Sequence, residues 1–178
     1  MSKRSRIADL LNRSEAGGEQ SVAGWVRSTR ASGDVAFIVL NDGSNLSGVQ
    51  LVLERATVTN FEDYTRLGTG TALQATGELV PSPAAGQQFE LRVTDLTIVG
   101  NAYPDYPLQK KRHSFEYLRS IAHLRPRTNT FGAVFRLRSR LAQAIHQFFA
   151  ERKFLYVHTP IITASDCEGA GELFRVTT

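Results

Sequence analysis

Five short runs of apolar and β-branched residues, separated by turn-forming residues, restrict what the first part of this chain can fold into. Runs of this composition, with apolar side chains at alternate positions, are typical of β-strands. Turn residues follow the second run as Asn41-Asp42-Gly43, a sequence that favours a reversal of chain direction. The predicted strands are Ser21–Arg30, Val35–Leu40, Val49–Leu53, Thr71–Val80 and Gln88–Val99.

A short helix is predicted between the third and fourth strands. Phe61, Tyr64 and Leu67 follow one another at helical spacing within Asn60–Leu67. Five strands with a helix at this place are the order of an OB-fold, a small Greek-key barrel used to bind oligonucleotides. A further helix of one or two turns is predicted at Ile7–Leu11.

The direction of side chains in the predicted barrel suggests a binding face. If Ala36, Ile38 and Leu40 point into the barrel, then Phe37 lies outside, because successive strand residues point to opposite faces. The third strand has Val49, Leu51 and Leu53 on one face and Gln50 on the other. The first strand has Val22 and Val26 on one side, and Trp25 and Arg27 on the other.

An outward aromatic ring, an amide and a nearby arginine are what single-stranded nucleic acid needs. Phe37 would stack on a base, Gln50 would read a base edge, and Arg27 or Arg30 would contact phosphate. The alternative is that Phe37 packs against a neighbouring helix or a second domain. Stacked bases and packed side chains require the same aromatic surface, so the sequence supports both interpretations equally.

A long amphipathic helix followed by a strand is predicted over residues 129–160. Asn129 or Thr130 can cap the helix, and Arg125-Pro126-Arg127 should lie outside it because of the proline. The strand is predicted at Phe154–Val157, and Pro160 is predicted to end it. The apolar positions of the helix are Phe131, Val134, Phe135, Leu141, Ile145, Phe148 and Phe149. The opposing polar positions are Arg136, Arg140, Gln143, Gln147 and Glu151.

Charge divides the chain at the Pro- and Tyr-containing segment 101–107. Residues 1–103 carry nine Lys/Arg and eleven Asp/Glu, whereas residues 104–178 carry twelve and six. The second part is therefore the better electrostatic match to a polyanion.

Cys167 is the single cysteine, which excludes an internal disulfide and a cysteine-based zinc cluster. The dispersed histidines predict no metal site, and the absence of an apolar span or signal core favours a cytoplasmic protein.

Three stretches of the chain resemble one enzyme family. They are Lys111–Ser114, Ala122–Asn129, and Ile162–Val176 with Glu168-Gly169-Ala170-Gly171-Glu172-Leu173-Phe174 at its centre. These stretches resemble the N-terminal part of bacterial-type asparaginyl-tRNA synthetases, class II enzymes of the aspartyl, asparaginyl and lysyl subgroup. The resemblance runs from about Val22 to Thr178.

The resemblance implies different roles for three successive segments of the chain. It implies an OB-fold anticodon-binding domain at 1–103, a basic hinge at 104–128, and the truncated start of the class II α+β catalytic domain at 129–178. The expected anticodon-binding residues are Arg27, Arg30, Phe37 and Gln50, with Phe37 on the central uridine. The helix and strand look like motif 1, the element that forms the homodimer, and imply interface roles for Phe131, Phe135 and Pro160.

The segment after Pro160 resembles the flipping loop that closes on the bound amino acid. Glu168 matches the glutamate that receives the α-ammonium group of the substrate, a charge-assisted bond. By the same resemblance, the rest of the loop is Ser165, Asp166, Gly169, Ala170 and Gly171. Leu173–Thr178 is predicted to begin another strand.

The family resemblance implies tRNA(Asn), L-asparagine, ATP and Mg²⁺ as partners of an intact ligase. Neither the Arg-x-Glu of motif 2 nor the Gly-x-Gly-x-x-Arg of motif 3 occurs in these 178 residues. No catalytic residue is therefore expected within this chain, and it should not form the adenylate alone. Two alternatives stay open: a stand-alone, non-catalytic OB-fold protein that binds nucleic acid, and an aspartyl-tRNA synthetase.

Overall fold

The computed structural model describes residues 4–162, and its central feature is a closed five-stranded barrel. All five predicted strands are present, and their ends differ from the predicted ends by at most two residues. The strands are β1 (Glu19–Ser32), β2 (Val35–Asn41), β3 (Val49–Glu54), β4 (Ala72–Pro81) and β5 (Phe89–Gly100). The predicted OB-fold architecture is thus confirmed.

Strand pairing runs around the barrel in the order β1-β2-β3-β5-β4. Neighbouring strands are antiparallel except β3 and β5, which pair in parallel with Leu51 opposite Leu91. This parallel pair places the outer faces of two strands that are far apart in sequence side by side. The β4–β5 register shifts between Thr76 and Gly77, where a Cβ on Gly77 would collide with the Arg92 carbonyl.

The barrel interior is filled by the alternate apolar residues of its strands. Each of the inward positions predicted for β2 and β3 is buried. These positions are Ala36, Ile38, Leu40, Val49, Leu51 and Leu53.

The helix predicted between the third and fourth strands is α2 (Phe61–Thr65), which buries Phe61 and Tyr64. The Tyr64 hydroxyl donates to the Leu96 carbonyl at 2.8 Å; burial, together with Asp95 and Asp63, raises the pKa of Tyr64.

The N-terminal helix, here numbered α1 (Ile7–Leu11), has the predicted bounds and buries Ile7 and Leu10 against the barrel core. The turn after β2 caps it: Asp42 Oδ2 accepts from the Ile7 amide at 3.0 Å, and Ser44 Oγ accepts from the Ala8 amide at 2.9 Å. Burial of Asp42 would raise its pKa, but hydrogen bonds from Ser44 and the Ile7 amide outweigh burial and lower it.

Beyond the barrel lie α3 (Phe115–Ser120), a 3₁₀ turn at Arg125–Arg127, and α4 (Asn129–Glu151). The break predicted at the proline is present, because Thr128 has an extended backbone between the turn and α4. The predicted capping residue is wrong. Thr128, rather than Asn129 or Thr130, accepts from the Phe131 amide through its Oγ1 at 3.4 Å. None of the described helices is long and apolar enough to cross a membrane.

The strand predicted at Phe154–Val157 is absent from the described structure. A strand needs a hydrogen-bonded neighbour, and these residues are instead exposed, with Leu155 at 89%. Lys153 adopts a left-handed φ of 65° after α4, and the Phe154 amide donates to the Phe149 carbonyl at 3.1 Å. That bond is typical of the Schellman helix end.

The chain divides into two compact units, Met1–Phe135 and Arg136–Thr178, of which the structure describes residues 4–135 and 136–162. The boundary falls within α4, where the first seven residues belong to the barrel-containing unit. The strand predicted at Leu173–Thr178 lies outside the described residues.

Candidate nucleic-acid interface

The outer face of β1, β2 and β3 brings three of the predicted site residues together. Arg30 of β1 lies opposite Phe37 of β2, while Gln50 of β3 lies opposite Val39, two residues further along β2. Residues two apart on a strand share a face, so the three side chains gather on the outside of the barrel.

Phe37 lies on the outside of the barrel, as predicted, and its ring is partly exposed. The Arg30 guanidinium lies over the ring, with its carbon 4.6 Å from the ring centroid. A guanidinium over an aromatic face is a favourable cation–π contact. The ring is therefore held on the surface by a solvent-exposed arginine.

Gln50 joins this pair to a buried carboxylate. Its Oε1 accepts from Arg30 Nη2 at 3.3 Å, and its Nε2 donates to Glu90 Oε2 at 3.1 Å. Glu90 is only 7% exposed. Its Oε2 also accepts from Ser82 Oγ at 3.0 Å and from Gln87 Nε2 at 3.3 Å. A polar row thus runs from Arg30 through Gln50 to Glu90.

Sequence reasoning missed Glu90 as a member of this site. Its neighbours Phe89 and Leu91 are buried in the core, so the alternation along β5 already puts Glu90 on the outer face. Its proximity to Gln50 comes from the parallel pairing of β3 with β5, in which Leu51 lies opposite Leu91. That pairing joins segments about forty residues apart in sequence, and no local sequence pattern predicts it.

Arg27, the fourth predicted anticodon residue, makes its contacts elsewhere. Its Nη1 donates to the Leu46 carbonyl at 2.7 Å, and its Nη2 donates to Asn129 Oδ1 at 2.8 Å. The neighbouring Trp25 carries the Arg127 guanidinium over its ring at 4.1 Å. The Arg27–Asn129 and Trp25–Arg127 contacts join β1 to the segment around the 3₁₀ turn, and the Leu46 contact lies in the loop after β2, so none of the three involves the Phe37 cluster.

The predicted dimer residues on α4 are partly covered within their own unit. The Arg125 guanidinium lies 5.0 Å from the Phe131 ring and 5.7 Å from the Phe135 ring, and Phe115 meets Phe131 edge-on. Other apolar side chains of α4 are more open, namely Val134 (43% exposed), Leu137 (70%), Leu141 (58%), Ile145 (52%), Phe148 (48%) and Phe149 (47%). Pro160 is also exposed.

The remaining predicted site residues lie outside the described part of the chain. They are Glu168 and the loop residues Ser165, Asp166, Gly169, Ala170 and Gly171. Within residues 4–162, no group of three or more His, Cys, Asp or Glu side chains could hold a metal ion.

Comparison with known proteins identifies two families along the chain. Residues 20–99 match the OB-fold nucleic acid binding domain, and residues 114–178 match the class II tRNA synthetases (D, K and N). The asparagine–tRNA ligase of Pelobacter propionicus is 65% identical over 175 residues. This chain is homologous to asparaginyl-tRNA synthetases over their N-terminal portion. The asparagine–tRNA ligase of Geobacter sulfurreducens is 60% identical over all 178 residues.

The chain spans 38% of the length of these two relatives, and 98% and 100% of the chain is covered. Among solved structures, the asparaginyl-tRNA synthetase from Pyrococcus horikoshii complexed with asparaginyl-adenylate matches with a TM-score of 0.87. Its identity is 22%, and the match covers 100% of this chain and 41% of that one. This likeness supports the fold, while the sequence matches carry the homology to the N-terminal portion of asparagine–tRNA ligases.

Proposed function

We propose that this asparaginyl-tRNA synthetase homologue contributes the anticodon-binding part of an asparagine–tRNA ligase. The intact ligase would join asparagine to ATP as an adenylate and pass the acyl group to tRNA(Asn). In this proposal residues 1–103 bind the anticodon, 104–128 form a basic hinge, and 129–178 begin the catalytic domain. Because tRNA charging serves translation, the cytoplasm is the expected location.

The observation that carries the proposal is the outward cluster of Arg30, Phe37 and Gln50 on an OB-fold face. It combines a partly exposed ring, a cation and an amide within one patch. A base that stacks on Phe37 would present its edge to Gln50, while Arg30 would neutralise a phosphate. In tRNA(Asn) the central anticodon base is uridine, and this is the base that we assign to Phe37.

Arg27 is proposed as a further anticodon-loop contact, because it lies on the same strand as Arg30. Its guanidinium would have to exchange the Leu46 carbonyl or Asn129 for a phosphate. A charge-assisted bond to phosphate is strong enough to compete with these neutral acceptors. Arg27 is therefore expected to contribute less to RNA affinity than Arg30, which is more exposed.

Dimer formation is proposed for the apolar side of α4. Leu141, Ile145, Phe148 and Phe149 are each about half exposed, and a row of apolar side chains at helical spacing is suited to a second copy. Phe131, Phe135 and Pro160 are proposed as further interface residues. ATP, Mg²⁺ and asparagine belong to the intact ligase; in this chain Glu168, within the proposed flipping loop of Thr163 to Glu172, would receive the asparagine α-ammonium.

The experiment that tests the proposal is RNA binding by the 178-residue chain. Two anticodon stem-loop RNAs are compared, identical except for uridine or cytidine at the central position, by fluorescence anisotropy at fixed salt. We expect saturable binding with a preference for the uridine RNA. Binding too weak to saturate, or equal affinity for a stem-loop and a duplex of the same length, would contradict the anticodon role.

A further inference from the structure

The first residue of α4 is tied to the barrel through an irregularity in β1. The β1–β2 register shifts between Val26 and Ser28, which leaves Arg27 as the extra residue of a β-bulge. Arg27 Nη2 donates to Asn129 Oδ1 at 2.8 Å, and its Nη1 donates to the Leu46 carbonyl at 2.7 Å. A bulge often serves to redirect a side chain. Here the redirected arginine joins β1 to the residue with which α4 begins.

A second set of contacts holds the turn that precedes α4. The Arg127 guanidinium carbon lies 4.1 Å from the centroid of the Trp25 ring, and Arg127 Nη1 donates to the Tyr106 hydroxyl at 3.2 Å. Tyr106 in turn packs on Gly70, where a Cβ would lie 2.8 Å from atoms of the ring. Gly70 also has a φ of +95°, which glycine adopts without strain. The turn is thus anchored by residues that are far from it in sequence.

The rest of α4 is exposed. Gly132 is the only buried residue of this helix, all of which the structure describes, and every residue at positions 136–151 is exposed. A helix that buries so little gains little from packing, and isolated helices of about this length are marginal in water. The unfavourable step is the first turn, after which each residue adds one hydrogen bond. A start that is already fixed therefore removes the main obstacle to helix formation.

We propose that Arg27 and Tyr106 anchor the start of α4 and so nucleate the helix, which presents its apolar side in helical form to a second copy of this chain. The identity of that partner rests on the proposed dimer, whereas the anchoring itself does not. An apolar side that is helical before association needs no further ordering when the second copy binds, so association is stronger. The barrel thereby supports a contact that its own surface does not make.

Arg27→Met tests the anchoring from the barrel side, because it leaves the sequence of α4 unchanged. The readout is amide hydrogen exchange of residues 136–151, measured by mass spectrometry on the 178-residue chain at one low protein concentration. Loss of the surface bond to Asn129 should lower the protection of these amides by about threefold to tenfold. The amides of β3 should keep their protection, because neither bond of Arg27 involves that strand.

The matched control is Arg92→Met, which removes the same side chain from another strand of the barrel. The Arg92 side chain is 58% exposed and lies 3.7 Å from Glu54, so its ion pair is with β3. This variant should leave hydrogen exchange at residues 136–151 unchanged. Unchanged protection of α4 in a folded Arg27→Met chain, or an equal loss in Arg92→Met, would overturn the anchoring role.

Tyr106→Phe keeps the proposal testable if Arg27→Met does not fold. It removes only the hydroxyl that accepts from Arg127, and it should lower the protection of residues 136–151 by about twofold. Tyr103→Phe is its control, because the Tyr103 side chain is 79% exposed and should not affect α4. Equal protection in these two variants would contradict the inference.

Analytical ultracentrifugation separates this inference from the proposed dimer. If the dimer forms, its dissociation constant should rise in Arg27→Met by the factor by which the helical fraction of α4 falls. A chain that stays monomeric, while Arg27→Met still lowers the protection of α4, refutes the dimer and supports the anchor. A chain that forms dimers, with the same α4 protection in Arg27→Met, refutes only the anchor.

Discussion

Replacing Phe37 with alanine is the most direct test of the proposed stacking of a base on this barrel. The ring lies on the outer face and is partly exposed, so its removal leaves the buried core of Ala36, Ile38 and Leu40 intact. The intramolecular loss is the contact with Arg30, which is worth about 0.5–1 kcal/mol at an exposed site. The barrel should therefore fold normally in the Phe37→Ala variant.

The binding loss should be larger than the folding loss. A base stacked on an aromatic side chain contributes about 1–3 kcal/mol. At about 1.4 kcal/mol for each factor of ten, the dissociation constant for the uridine stem-loop should rise about 5- to 150-fold. Because stacking neutralises no phosphate, the slope of log affinity against log salt should stay the same.

Fluorescence anisotropy at several salt concentrations measures both quantities, and circular dichroism checks the fold. Val39→Ala is the matched control, because Val39 lies on the same face of β2, two residues from Phe37, and lacks a ring. It should change the affinity less than about twofold, since no base can stack on it. If Phe37→Ala binds as tightly as Val39→Ala, then no base stacks on Phe37, and its role is structural.

Three further predictions concern stability and catalysis. Asp42→Ala removes the acceptor of the Ile7 amide and should cost about 1 kcal/mol at neutral pH. Because the pKa of Asp42 is lowered in the folded state, this contribution is fully present at neutral pH and is lost as the pH falls through that lowered pKa, which a series of urea unfolding curves from pH 7 downwards would reveal. Lys153→Gly should stabilise the end of α4 by about 1 kcal/mol because its φ is 65°, whereas Arg152→Gly should not; thermal unfolding distinguishes them. The 178-residue chain should show no asparagine-dependent exchange between ATP and pyrophosphate, and clear exchange would refute the argument from the missing motifs.

Local patterns sufficed to predict the barrel, but not every contact made by its surface. The alternation of apolar residues in β2 and β3 placed Phe37 and Gln50 outside, because side-chain direction depends only on the strand itself. Glu90 was missed because its neighbour Gln50 is brought to it by the closure of the barrel. The strand at Phe154–Val157 was wrong for a related reason: an aromatic and β-branched run becomes a strand only where another strand pairs with it.

If RNA binds at this face as proposed, the position of Arg30 connects RNA affinity to base selection. Its guanidinium lies over Phe37 and donates to Gln50, so one side chain contacts both the stacking surface and the amide. A base that occupies the guanidinium side of the ring must move Arg30 aside, which would also release the Gln50 oxygen. The amide would then be oriented by Glu90 alone, through the bond to Nε2. A buried carboxylate held by two other donors is the partner that can keep that orientation while RNA displaces the exposed arginine.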